Sequence, residues 1–229
     1  MPANTRDNNR RKFLKLSLGL IGAGIAQQTL ARQSCKVPTP AQTEGPFYPL
    51  AKPSDTDWDL TRIRAHQRLA RGTAILVEGI VQDQNCLPVG NAVVEIWQAC
   101  ASGRYNHPGD HSQNPLDPDF QYWGITKTDP KGHYFLQTIL PGHYAVTNSW
   151  TRPPHIHFMV HQRGFQELTT QLYFQGHPLN ADDLILQRVP ESNRVQVVRP
   201  LLPINPKSTP SISLIAQKRI VFDIQIERI

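Results

Sequence analysis

What the sequence is short of narrows the field before any motif is read. Its three cysteines, Cys35, Cys86 and Cys100, form no CxxC pair, so a zinc knuckle has no ligands. Charged residues make up only 18% of the chain, too few for a disordered polyelectrolyte. There is no Gly-rich phosphate loop and no Ser/His/Asp signature. Glu44 and Glu95 have no evident carboxylate or basic partner, so paired-carboxylate hydrolysis is unsupported. Internal repeats, low-complexity runs and alternating long helical patterns are also missing, which leaves out solenoids, bundles and doubly wound folds. At 229 residues, the chain has room for one domain or at most two.

Positive charge is present, but it is unevenly placed. The formal net charge is +6, yet Arg6, Arg10, Arg11, Lys12 and Lys15 stand against Asp7 alone in the first 31 residues. Four of the six charges therefore belong to that segment, and the remaining chain is close to neutral, with no basic stripe for nucleic acid. After Arg10-Arg11-Lys12-Phe13-Leu14-Lys15 comes an apolar, Gly-containing run, Leu16–Ala26, too short for a mature membrane span. Thr29 and Ala31 follow as a small-x-small site. Residues 1–31 thus resemble a twin-arginine export signal, which places the mature protein in the periplasm or outside the cell with no stable membrane anchor. A basic amphipathic helix is the plainer reading of the same residues. A lipoprotein reading at Cys35 is weakened by Arg32 and Gln33.

Residues 32–72 are Pro-rich and irregular, an amino-terminal arm with one helical stretch expected near 59–70. From residue 73 to 229 the pattern is β. Strands are expected at 74–81, 92–97, 133–136, 143–146, 155–161, 168–174, 212–216 and 220–226, separated by Gly/Pro turns such as Asp129-Pro130-Lys131-Gly132. The expected fold is all-β, a single antiparallel prealbumin-like sandwich whose long loops carry the chemistry. If 74–83 and 91–99 form a hairpin, Cys86 and Cys100 lie about 26 Å apart, too far for a disulfide; a bridge would instead involve Cys35. Tyr134 reads as a core aromatic.

The densest chemistry lies in Trp150-Thr151-Arg152-Pro153-Pro154-His155-Ile156-His157-Phe158. On a strand, His155 and His157 point to one face and make a ready metal pair, although two surface histidines would look the same. Tyr105 and Tyr144 sit in loops, where core packing explains them less naturally. A trivalent cation would favour their phenolates, and phenolate oxygen is a hard donor suited to ferric iron. A hydrogen-bonded packing role is the ordinary alternative for each tyrosine. His107, Asp110 and His111 could form a surface metal site, and His161 is expected to be exposed. A zinc hydrolase built on the histidines needs a carboxylate that the sequence does not place.

Six segments, in order, carry a resemblance to a known family: Thr43-Glu44-Gly45-Pro46-Phe47-Tyr48, Val94-Glu95-Ile96-Trp97-Gln98, Gly103-Arg104-Tyr105, Pro141-Gly142-His143-Tyr144, Arg152–Phe158 and Thr170-Gln171-Leu172-Tyr173-Phe174. Together they resemble the intradiol catechol dioxygenases, most closely the protocatechuate branch. The resemblance implies a non-haem Fe(III) held by Tyr105, Tyr144, His155 and His157. It also implies catalytic roles for Arg152, which faces the substrate ring, for Gln171 in the same pocket, and for Tyr144 as a departing ligand that accepts a proton. The implied reaction opens a catecholic ring with O2, between its two hydroxyl-bearing carbons, to a muconate-type diacid.

The chain departs from the family pattern in several places, one being the export signal, which is unusual beside cytoplasmic aromatic-degradation enzymes. The Tyr144–His155 loop is short, with Ala145-Val146 where an aromatic-containing run is common. The arm also has no room for the helical amino-terminal domain of the catechol and hydroxyquinol branch. The substrate therefore remains open among catechol, protocatechuate, hydroxyquinol and lignin-derived catechols, as does assembly into homo- or hetero-oligomers. The rival from another class is a non-catalytic exported β-sandwich binding module, which shares the Val-Val-Glu-Ile-Trp strand but has no need of the tyrosines, histidines and arginine.

Overall fold

A computed structural model describes residues 37–204 and 215–229. Residues 1–31 and Cys35 therefore lie outside the described residues, as does most of the strand expected at 212–216; its last two residues, Ile215 and Ala216, are not in a strand.

Two five-stranded sheets face each other. The first is built on the long strand β1 (Ala74–Asp83). The second is built from β2 (Val93–Trp97), β3 (Trp123–Lys127), β7 (His155–His161), β8 (Leu168–Phe174) and β9 (Val198–Arg199), in the order β3-β2-β7-β8-β9. On one side β1 pairs antiparallel with β4 (His133–Ile139). On its other side β11 (Lys218–Val221) and β12 (Ile224–Ile226) run parallel to successive halves of it, and β10 (Leu202–Pro203) extends β11. A separate hairpin joins β5 (Tyr144–Thr147) to β6 (Trp150–Arg152). A short helix, α1 (Glu191–Val197), precedes β9. The described residues belong to one compact unit, and none of its helices is long and apolar enough to cross a membrane.

Alternation along the strands makes the core. Ile75, Val77, Tyr134, Leu136, Ile220 and Ile224 from the first sheet meet Val94, Ile96, Ile156, Phe158, Val160 and Leu172 from the second. Phe158 packs edge-on against Phe222, centroids 4.8 Å apart. Tyr134 is buried as expected, its hydroxyl donating to the Phe222 carbonyl at 2.6 Å.

Several expectations are corrected. The sheets are mixed rather than antiparallel, because β11, β12 and β9 each return to a distant edge and pair in parallel. β1 and β2 are not a hairpin: they lie in opposite sheets, where each buries its apolar face against the other sheet. The cysteines are no correction: as expected, Cys86 and Cys100 are not joined, since Cys86 is disulfide-bonded while Cys100 is a free, buried thiol. No helix forms at 59–70. The side chains of Asp57 and Asp59 accept the amides of Asp59 and Thr61 at 2.9 and 3.0 Å, local bonds that compete with a helix. β3 and α1 carried no strong sequence signal and were not expected.

Candidate active site

The site lies on the outward face of the second sheet. While Ile156, Phe158 and Val160 of β7 turn into the core, His155 and His157 turn out, both 2% exposed. The two imidazole centroids are 4.9 Å apart. Pairing brings Trp97 of β2 opposite His157, and Gln171 and Tyr173 of β8 opposite His157 and His155. The Trp97 indole stacks on the His157 ring at 4.8 Å and 10°.

Two loops bring the tyrosines over this face. A Cβ placed on Gly103 would lie 2.0 Å from the His143 carbonyl oxygen, and one on Gly142 would lie 2.4 Å from the Gly103 nitrogen. Only glycine permits the two backbones to cross so closely, two residues before Tyr105 and two before Tyr144. The Tyr105 and Tyr144 rings are 5.6 Å apart, and the Tyr105 hydroxyl lies 3.4 Å from His155 Nε2. The Tyr105 amide is held by Asp110 at 2.7 Å. The arm covers the cluster: Phe47 stacks on Tyr105 at 4.6 Å, and Gly45 sits against His157.

Arg152 enters beside Tyr144, its partner in the β5–β6 hairpin. It is 3% exposed and fully engaged. Nε donates to Asp183 at 2.9 Å, and Nη2 donates to Gln171 Oε1 at 2.9 Å and the Tyr173 hydroxyl at 3.0 Å. Nη1 faces the cluster, 3.1 Å from His155 Nε2. Gln171 lies beside Arg152, with both amide ends occupied: Oε1 accepts from Arg152, and Nε2 donates to the Thr43 carbonyl at 2.8 Å.

The electrostatics suit a hard cation. Burial, then Arg152 and His157, hold the His155 pKa well below its ordinary value; burial, then Arg152, does the same for His157. Both imidazoles are therefore neutral, with lone pairs to offer. Close contact between His155 Nδ1 and the Pro153 carbonyl, at 2.7 Å, places that ring's proton on Nδ1 and its lone pair on Nε2, which faces Arg152 Nη1 and the Tyr105 hydroxyl. Among the described residues, buried His157 Nδ1 has no hydrogen-bond partner. Burial and the neighbouring Tyr144 raise the Tyr105 pKa, and burial, opposed by Arg152, raises that of Tyr144. Unaided, both phenols keep their protons; only a strong Lewis acid would displace them. Among the described residues no three His, Cys, Asp or Glu side chains gather, so the oxygen donors near the two histidines are the tyrosine hydroxyls.

The structure thus brings together Tyr105, Tyr144, Arg152, His155, His157 and Gln171. It does not bring His107 and His111 together with Asp110 as ligands. His107 Nδ1 accepts the Gly109 amide, and Asp110 holds the amides of Tyr105 and Ser112. Glu95, expected to lack a partner, accepts from the Trp123 indole at 3.0 Å, from Tyr48 at 2.9 Å and from Lys52 at 2.5 Å. Asp183 and Tyr173 went unassigned in the sequence. Tyr173 had a usable signal, since it shares Gln171's strand face; Asp183 lies in a polar loop and had none.

A family model described as "Dioxygenase" matches residues 43–202. The chain is 41% identical over 157 residues to a protocatechuate 3,4-dioxygenase beta chain from Burkholderia cepacia, covering 67% of this chain and 66% of that protein. It is 30% identical over 192 residues to catechol 1,2-dioxygenase 2 from Acinetobacter lwoffii, covering 72% and 65%. The chain thus spans slightly less than two thirds of each relative. Among solved structures, the dioxygenase domain of a dioxygenase carbohydrate-binding fusion from Streptomyces sp. SirexAA-E superposes with a TM-score of 0.60 at 26% identity, covering 84% of this chain and 100% of that one. The 3-chlorocatechol 1,2-dioxygenase of Rhodococcus opacus 1CP has the same fold, with a TM-score of 0.63 at 23% identity over 89% and 78% of the two chains. With the family model covering most of its length and the tyrosines and histidines gathered on one buried face, the chain belongs to the intradiol ring-cleaving dioxygenase family.

Proposed function

We propose that this protein is a non-haem Fe(III) intradiol dioxygenase that opens a catecholic ring between its two hydroxyl-bearing carbons, using O2, to a muconate-type diacid. The observation that carries the reading is the convergence of Tyr105, Tyr144, His155 and His157 beside a buried arginine. These four residues would hold the ferric ion, which when bound acidifies the catechol hydroxyls and makes the ring reactive toward dioxygen.

The chain's own residues divide the remaining work. Tyr105 is deeply buried and stacked on Phe47, whereas Tyr144 is less buried and starts a hairpin whose next three residues are exposed. Tyr144 is therefore the tyrosine free to swing, and its phenolate, formed once a bound ferric ion had displaced the phenol proton, would take one substrate proton at Oη. Burial works against the Arg152 charge, yet Tyr173, Asp183 and Tyr144 outweigh it and raise its pKa above the ordinary value. Its guanidinium stays protonated and stabilises negative charge developing on the ring. A plain binding sandwich would gain nothing from burying these groups together.

The test is colour and turnover. Iron-loaded protein is expected to show a tyrosinate-to-iron charge-transfer band that shifts when a catechol is added without oxygen, and to consume one O2 per ring opened. Tyr105→Phe should weaken both the band and iron retention. A colourless protein holding stoichiometric iron would overturn the reading. A panel of catechol, protocatechuate, hydroxyquinol and lignin-derived catechols, followed by oxygen uptake, identifies the substrate. We further propose export through the twin-arginine-type segment 1–31; the disulfide at Cys86 supports an oxidising destination.

A further inference from the structure

We propose that Asp183 is a positioning residue that fixes which nitrogen of Arg152 faces the metal-binding cluster. The catalytic consequence drawn below rests on the intradiol reading given above.

The Asp183 carboxylate has no solvent exposure and grips the guanidinium along one edge, Oδ2 to Nε at 2.9 Å and Oδ1 to Nη2 at 3.3 Å. A planar guanidinium held by a two-point fork cannot rotate about its Cζ–Nε axis without losing one of the two bonds. Gln171 and Tyr173 also accept from Nη2, whose two hydrogens are shared among three acceptors. Nη1 is left to face His155, 3.1 Å from its Nε2. The carboxylate also offsets the buried positive charge, which would otherwise be costly so far from water.

Asp183 does one other thing. Oδ1 accepts the amides of Ile185 and Leu186 at 3.1 and 2.7 Å, pinning the short turn that follows. A purely structural residue would do only this, so the experiment must separate the two roles. Asp183→Asn keeps the shape and removes the charge. In the iron-loaded enzyme we expect Asp183→Asn to lower kcat roughly 10- to 100-fold, with KM changed less, while iron content and the charge-transfer band persist. Combined with Arg152→Ala, it should cause less than about a twofold further loss, because a residue acting through Arg152 has nothing left to position. A second loss as large as the first would show that Asp183 acts by holding the turn, and would overturn the proposal.

A second measurement needs neither turnover nor the variant. In the iron-free protein and in its diamagnetic gallium(III) form, the Arg152 Nε–H proton should appear as a distinct, slowly exchanging signal. Exchange at the rate of an exposed arginine would overturn the clamp even if Asp183→Asn fails to fold. If the native protein opens no catechol, the intradiol reading fails, while this signal still decides whether Asp183 holds Arg152.

Discussion

Gly103 and Gly164 show how alike two residues look until their surroundings are known. Both adopt a positive φ, +84° and +85°. Around Gly164 nothing lies within 4 Å of an added Cβ, whereas at Gly103 that atom would meet the His143 carbonyl at 2.0 Å. Gly164→Ala should cost only the left-handed backbone penalty, about 1 kcal/mol. Gly103→Ala must also push apart the loops that carry Tyr105 and Tyr144, for about 3 kcal/mol or more. Urea unfolding of both variants measures the difference, and the Gly103 variant should also lose charge-transfer intensity. Equal costs would mean that the loop crossing does not hold the tyrosines. The sequence displayed both Gly-x-Tyr and Gly-His-Tyr segments, but not that their backbones touch.

At the scale of elements, strand alternation does most of the positioning. One period-2 pattern on β7 gives the core Ile156, Phe158 and Val160 and gives the site His155 and His157. The same alternation sends Glu95 of β2 to the outer face, where it joins Trp123, Tyr48 and Lys52 beside the Trp97–His157 stack. Burial alone would raise the Glu95 pKa; hydrogen bonds from Lys52, Tyr48 and Trp123 prevail and leave it below the ordinary value. A carboxylate depressed in this way stabilises the fold above its unfolded pKa of about 4.3. That contribution is lost as the pH falls through the folded value. Glu95→Gln should therefore be less stable by roughly 1–2 kcal/mol at pH 7, and the gap should close below pH 4. Chemical unfolding across that range tests this; a gap that does not vary with pH would contradict it.

Across the whole molecule, the amino-terminal arm covers one side of the site. Residues 40–47 run along β8 and over the histidines, with the Gln42 amide donating to the Thr169 carbonyl at 2.8 Å and Gln42 Oε1 accepting the Tyr173 hydroxyl at 3.0 Å. The arm read as irregular because its order comes from these long-range bonds and from Leu60, wholly buried in the core. Ahead of it, the proposed export segment makes its own prediction. Replacing Arg10 and Arg11 with lysine should leave the protein in the cytoplasm, as read by cell fractionation. Unchanged export would remove the twin-arginine assignment.

The sequence by itself determined the β character, the single chemical face of the His155/His157 strand and, through six ordered segments, the family. These features are local: side-chain alternation follows from the backbone, and each of the six segments is a short run of neighbouring residues. Only the tertiary structure decided that β1 and β2 lie in opposite sheets, that parallel strands complete the first sheet, and that Glu95 has three donors. It alone chose Asp183, 31 residues along the chain from Arg152, as that residue's partner. An aspartate in a polar loop reads the same in sequence whether it faces water or a buried guanidinium; packing between distant segments makes the choice.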